Sequence, residues 1–226
     1  MKYIGEELHL FEKAQRWKRY WSSIIAPYMR GNVLEVGAGI GANAPFFANV
    51  NFSKWVCLEP DEDLLAEAKR RLHDERYEFV AGTIGSTKGP FDVIFYIDVL
   101  EHISDDADEM QRAAGRLKPG GTLIVLVPAH QFLFSTFDAA VGHFRRYDKR
   151  TLRSCIPPNL RREKLIYLDS VSLLASLANK LLLHQTMPTE AQIRTWDSLL
   201  VPLSRITDPM TGYRIGKSVL GIWTKE

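Results

Sequence analysis

The sequence predicts an α/β fold in which a parallel sheet is covered by helices on both faces. Three observations carry this. Short apolar runs alternate with amphipathic helical patterns over the first two thirds of the 226 residues. A glycine turn, Gly37-Ala38-Gly39-Ile40-Gly41, follows at once on the apolar run Val33-Leu34-Glu35-Val36. Pro119-Gly120-Gly121 ends a helical pattern just before another apolar run. Strands linked by helices in this rhythm bury both sheet faces.

In chain order, the first candidate element is an N-terminal helix around Gln15–Trp21, with Trp17, Tyr20 and Trp21 at i, i+3 and i+4 on one face. The default for such an aromatic stripe is to pack as core. The strands read as Asn32–Val36, Lys54–Glu59, Tyr77–Ala81, Phe91–Ile97 and Thr122–Val127. Helical patterns lie between them at Ala44–Ala48, Glu62–His73 and Asp105–Leu117. In the second, Leu64, Leu65, Ala68 and Leu72 share a face. Ser104 is placed to cap the third, with acids in its first turn.

Beyond these, Leu165–Leu168 and Ser218–Trp223 read as two further strands separated by a long segment. That segment holds apolar runs at Leu173–Leu177 and Leu181–Leu183, a break at Met187-Pro188 and a helical pattern over Glu190–Ile206. Asp208–Gly212 reads as a surface turn. No repeat or linker divides the chain, so residues 1–226 are expected to form one domain.

Glycines between a strand and a helix allow a tight turn and close approach of a ligand to the backbone, next to unpaired helix N–H groups. This is a nucleotide-type cofactor site. Gly37, Gly39 and Ala42 also satisfy the dinucleotide fingerprint, with Glu59 near its ribose-binding acid, so an NAD-dependent oxidoreductase is open on this pattern alone. Glu35, two residues before the first glycine, suits a cationic ligand better than a pyrophosphate. Asp98-Val99-Leu100-Glu101-His102 ends the fourth strand, and Leu117-Lys118-Pro119-Gly120-Gly121-Thr122 precedes the fifth.

With these blocks the chain resembles the class I S-adenosyl-L-methionine (SAM) dependent methyltransferases, strongly over residues 30 to 130. Val127-Pro128-Ala129-His130, Phe134-Ser135, Gly142-His143-Phe144-Arg145-Arg146-Tyr147 and Asp197–Leu203 further resemble a small bacterial branch associated with glycan, lipid or natural-product biosynthesis. The resemblance implies a Rossmann-like seven-stranded sheet with an antiparallel final strand, a helical insertion at residues 171–207 before that strand, and an N-terminal helical segment, residues 1–30, that serves as a lid as readily as core. It implies SAM as cofactor, S-adenosyl-L-homocysteine as product, and a small-molecule acceptor. Cofactor contacts are then expected from Gly37, Ala38, Gly39 and Gly41, from Glu35 at the amino group and from Glu59 at the ribose. Pro60 and Asp61 fall beside the adenosine, with Gly82, Thr83 and Ile84 at the adenine and Asp98 near the methyl group. Thr83 stands where relatives commonly have Asp. A scaffold of this fold without catalysis is a third reading, made less attractive by the complete set of turn glycines.

For the chemistry, an alcohol acceptor needs a base, and His143 and His130 both follow the fifth strand. Glu101 and His102 are equally explained as ties within their loop. Arg145 and Arg146 suit an acidic oxygen, whether phosphate, phosphonate or carboxylate, which needs no base. Transfer to an oxygen of a small polar metabolite is the leading expectation, and N-methylation of a small molecule an alternative. The chain lacks the N/D-P-P-Y clamp of methyltransferases that act on nucleic-acid amines, and its net charge of +2 gives no bulk attraction to nucleic acid. Cys57 and Cys155 form no metal-type pair and no metal ligands are expected; with no disulfide pattern or signal sequence, the cytoplasm is the natural setting. No apolar run is long enough for a membrane span. The apolar face of residues 171–207 is expected to wall the acceptor pocket and to offer a homodimer contact.

Overall fold

The computed structural model describes residues 7–178 and 187–226. The expected apolar run at Leu181–Leu183 lies outside the described residues. Seven strands form one sheet in the order β3-β2-β1-β4-β5-β7-β6. They are β1 Gly31–Val36, β2 Phe52–Glu59, β3 Tyr77–Ala81, β4 Phe91–Ile97, β5 Leu117–Pro128, β6 Leu160–Leu168 and β7 Ser218–Lys225. β1 to β5 pair in parallel, and β7 runs antiparallel to both β5 and β6. The chain therefore reverses strand order between β1 and β4, and the crevice there opens at the carboxyl ends of the strands.

Strand residues alternate between two cores. Val33, Trp55, Cys57, Phe95 and Ile124 face one side, where Trp21 and Ile25 of α2 (Gln15–Ile25) pack. Leu34, Val56, Ile94, Tyr96 and Val125 face the other, against Met110, Ala113 and Ala114 of α4 (Asp106–Arg116). Both faces being covered explains why these strands are almost continuously apolar. α3 (Glu62–Arg71) starts at Asp61, whose Oδ1 accepts from the amides of Asp63 and Leu64. The other described helices are α1 (Glu7–Glu12), α5 (Thr136–Ala140), α6 (Lys149–Cys155), α7 (Ser170–Ala178), α8 (Glu190–Thr195) and α9 (Val201–Met210).

Several local expectations change. Ala44–Phe47 is a single 3₁₀ turn, not an α-helix, with Pro45 in its first turn; a proline supplies no amide to continue an α ladder. Asp105, not Ser104, caps α4, its Oδ1 accepting from the Asp108 amide at 3.0 Å. β5 begins five residues earlier than its apolar pattern, and β6 also reaches back to Leu160. β6 is an edge strand, and its exposed Arg161, Arg162 and Glu163 hid its period while protecting that edge.

The largest correction concerns Asp208. It is no surface turn residue but lies fully buried in α9. Its carboxylate accepts from Tyr20 Oη at 2.8 Å and from the amides of Asp169 and Ser170 at 2.7 and 2.9 Å. The helical insertion between β6 and β7 is thereby fastened both to the end of β6 and to α2. Asp208→Ala strands three donors, two of them in buried bonds, so urea unfolding should show a loss of roughly 3 kcal/mol. A loss below about 1 kcal/mol would show that this carboxylate does not anchor the insertion.

Candidate active site

The glycine turn after β1 is held down from below. The amides of Gly37 and Ala38 both donate to the Leu58 carbonyl, at 2.8 and 3.0 Å. Gly37 has φ +68°, and a Cβ there would lie 2.5 Å from Cγ2 of Val99. Only glycine permits this backbone to pass so close to the β4 loop. Glu59 closes the turn from β2: Oε2 accepts from the Gly39 amide at 2.9 Å and Oε1 from the Asp61 amide at 3.0 Å. Burial raises its carboxyl, and these two bonds only partly offset the rise.

Glu35 stands behind the same turn. Its carboxylate accepts from Asn43 Nδ2 at 3.0 Å and Trp55 Nε1 at 2.9 Å. Asn43 Oδ1 in turn accepts from Lys18 Nζ at 3.1 Å. Lys18, from α2, reaches the cavity wall beside the turn. Burial lowers the Lys18 ammonium, while Asp98 and Glu35 pull it back up. The chain Glu35–Asn43–Lys18 thus carries a buried acid's influence to a cation in the site.

A cavity of about 840 Å³ opens over the turn, within the range of small-molecule sites. Gly37, Ala38, Gly39 and Asp98 form one wall. Leu8 and Phe11 of α1 and Trp17 and Trp21 of α2 form another, and Ser172, Ile193, Trp196 and Leu200 of the insertion a third. Trp17 and Trp21 are therefore core and cavity wall at once. Lys217 lies at the floor, its Nζ 3.8 Å from the Trp196 ring centre and 3.5 Å from Asp169 Oδ2. Asp98 has φ +53° and is reached from the cavity, although protein surrounds it; enclosure raises its carboxyl and His143 pulls it down. A left-handed non-glycine residue at such a place is a mark of functional geometry.

The loop after β5 supplies the fourth wall. His143 Nδ1 lies 2.9 Å from Asp138 Oδ1. Arg146 donates to the same carboxylate through Nε at 2.7 Å and Nη2 at 2.9 Å, and Ser135 adds its amide and hydroxyl. Burial alone would raise Asp138, but the bonds from His143 and Arg146 hold it below the usual carboxylate range. A carboxylate so held makes His143 Nδ1 the donor, so that in the neutral imidazole Nε2 carries the lone pair. Nε2 lies 3.9 Å from Glu101 Oε1. Glu101 is fully buried and its carboxyl is raised well above normal, first by burial and then by Asp98. Burial and the neighbouring His143 push His102 down to about 4.

The expected site residues thus separate. Gly37, Ala38, Gly39, Asp98, His143 and Arg146 meet at the cavity. Glu35, Gly41, Glu59, Pro60, Asp61, Gly82, Thr83 and Ile84 do not line it; the first three sit in or behind the turn, and the rest follow β2 and β3. His130 is also outside the lining. Its Nε2 is 2.9 Å from the Gly216 carbonyl, and its ring stacks on Phe132 and Tyr167. Arg145 is turned away, paired with Asp106 at 2.7 Å and bonded to the Ser104 carbonyl. Arg146 reaches the cavity with its fork already taken by Asp138. Sequence reading missed Lys18, Asp138, Trp196 and Lys217. Only Asp138 had a local signal, the Ser135-x-x-Asp138 spacing of a helix start.

Strand order, glycine turn and the acids ending β2 and β4 together define the class I SAM-dependent methyltransferase fold. The chain belongs to the methyltransferase-domain family, which it matches over residues 9–162. Among characterised relatives, it is 31% identical over 107 residues to a ubiquinone biosynthesis O-methyltransferase of Thiobacillus denitrificans, covering 45% of this chain and 46% of that protein. It is 27% identical over 160 residues to a trans-aconitate 2-methyltransferase of Deinococcus radiodurans, covering 65% and 61%. The chain thus spans less than two thirds of the length of these relatives. A SAM-dependent methyltransferase from Archaeoglobus fulgidus superposes with a TM-score of 0.65 at 15% identity, over 98% of this chain and all of that one. The wider set of similar structures is diverse and singles out no narrow branch.

The residues of the turn fit SAM. Bare backbone faces the cavity at Gly37 and Gly39, Lys18 suits the cofactor's carboxylate, and Asp98 suits a cationic centre. Glu35 gives the site a pH signature in the ligand-free protein. Burial first raises its carboxyl to about 7, despite the bonds from Asn43 and Trp55. Between the ordinary value near 4.5 and about 7 the folded chain holds the extra proton. That contribution therefore favours folding at low pH and is lost as pH rises through the window. Relative to Glu35→Gln, the wild type should lose up to about 3 kcal/mol of stability between pH 4.5 and pH 8. Equal pH dependence of the urea midpoints in the two proteins would refute this.

Proposed function

We propose that this protein transfers a methyl group from SAM to a hydroxyl oxygen of a small molecule with a largely apolar body. The observation that carries the reading is His143, fixed by Asp138 with its Nε2 lone pair at the wall of the cavity that the glycine turn opens into. When bound, SAM supplies an electrophilic methyl group. His143 Nε2 accepts the hydroxyl proton as the oxygen attacks, and the Asp138 carboxylate stabilises the resulting imidazolium. Leu8, Phe11, Trp17 and Trp196 exclude water and align the acceptor. The O-methyltransferase named among the relatives supports oxygen as the accepting atom.

The apolar walls support a small metabolite that is polar mainly at its reacting end. An already ionised phosphate or carboxylate is less well served, because Asp106 and Asp138 occupy both arginines meant to bind it. Ser172, Ile193, Trp196 and Leu200 in the cavity wall support the insertion as the side against which the acceptor body lies. The exposed Leu199, Leu203 and Ile206 stand on the insertion's outer face and are free for a second subunit.

Substitution tests this directly. His143→Ala should lower kcat by about 10²–10⁴-fold with S-adenosylhomocysteine affinity retained. Asp138→Asn should lower it less and shift the pH–rate profile, since an amide cannot stabilise the imidazolium as a carboxylate does. Near-wild-type turnover of a phenolic or alcoholic acceptor by His143→Ala would sink the base assignment.

A further inference from the structure

No metal ligands are expected from the sequence, yet three donor side chains converge at the cavity wall. Glu101, His102 and His143 each offer one ligand atom, and the three atoms lie within 4.8 Å of one another. Glu101 is the unusual member. It is fully buried, and neither carboxylate oxygen has a hydrogen-bond partner. A desolvated carboxyl without donors is satisfied either by keeping its proton or by a cation beside it.

The histidines are arranged to hold such a charge. With Nδ1 bound to Asp138, His143 turns its Nε2 lone pair towards Glu101 Oε1, 3.9 Å away. A lone pair facing a carboxylate oxygen is unfavourable unless a proton or a metal ion lies between them, and 3.9 Å is long for a shared proton. His102 stands edge-on to His143 with ring centres 4.5 Å apart, and its ring is hydrogen-bonded to the Gly142 backbone. Each imidazole thus has an outer oxygen partner. This is the arrangement that orients metal-binding histidines and fixes their tautomer.

We propose that Glu101, His102 and His143 form a binding site for one divalent transition-metal ion, with Asp138 as the outer carboxylate that orients His143. Two imidazoles and one carboxylate favour ions such as Zn²⁺, Fe²⁺ or Co²⁺ over Mg²⁺ or Ca²⁺. Bonds of about 2.0–2.2 Å require ligand atoms roughly 3–3.6 Å apart, so small side-chain rotations close the 3.9 Å gap. Three protein ligands leave positions open to the cavity, where an acceptor oxygen would bind. The proposal goes beyond the base reading and alters one part of it. With the ion bound, Nε2 is a ligand, and the ion faces the acceptor oxygen in its place.

The test is titration of chelator-stripped, full-length protein with Co²⁺, followed by visible absorption and calorimetry. Thermal protection by S-adenosylhomocysteine is measured on the same samples. One equivalent of Co²⁺ per chain, displaced by Zn²⁺, is expected. Glu101→Gln, His102→Ala and His143→Gln should each weaken binding at least 10-fold, and Asp138→Asn by about 10–100-fold. Should Glu101→Gln fail to fold, the two histidine variants carry the same comparison. Absence of stoichiometric binding, or binding unchanged in the folded variants, overturns the metal site. Protection by S-adenosylhomocysteine in that case leaves the methyltransferase reading standing, whereas its loss with Co²⁺ binding intact would count against the cofactor site alone.

Discussion

The Asp138 carboxylate is the interaction on which the site rests. Five donor atoms reach it, from His143, Arg146 and Ser135. None of these residues lies in the sheet. They belong to a loop that would otherwise be free to rearrange after β5, and a shared buried anion is what gives it one arrangement. The ionised form is stabilised by its own ligands, so the loop and the imidazole tautomer are fixed by the same charge. Arg146 is the counter-charge in this arrangement, which is why a basic pair so prominent in the sequence is not presented to a ligand.

Much of the sheet could be read from residues alone. Val33–Val36, Trp55–Glu59, Phe91–Ile97 and Leu123–Val127 are apolar because both sheet faces are covered, and the glycine turn has a local conformational cause. β6 was only partly legible, since an edge strand with charged residues has no clear period. Asp208 was misread because Asp-Pro-Met-Thr-Gly has turn composition; what decides its fate is Tyr20, 188 residues away. The candidate site divides in the same way. Gly37, Gly39, Asp98 and His143 carry local signals. Lys18, Trp196 and Lys217 join them only through tertiary packing, and no spacing in the sequence connects them. His130 and His143 look alike in sequence but differ in the structure because Gly216 captures one and Asp138 orients the other.

α2 and the insertion are mutually dependent walls. No side chain caps α2 locally; instead Asp197 accepts from the amides of Arg16 and Trp17, at 3.0 and 2.8 Å. A carboxylate near a helix start also answers its dipole. Together with the Tyr20–Asp208 bond, this fastens the helix at two points along its length. The apolar cavity is thereby bounded by pieces from opposite ends of the chain, held by polar contacts as well as by packing.

Trp196–Leu200 form a π-helical turn between α8 and α9. Such a turn accommodates one extra residue within a helix. Here it lets two consecutive side chains both point inward: Trp196 donates to Asp169 Oδ2 at 2.8 Å while Asp197 caps α2. Adjacent positions on an ordinary α-helix are about 100° apart and would hardly serve both duties. The phase of this helix therefore couples the cavity floor to the N-terminal wall. Shortening the turn by one residue would leave the sheet and glycine turn intact while forcing a choice between the two attachments, reshaping acceptor space through helical register without changing a single side chain at the reacting centre.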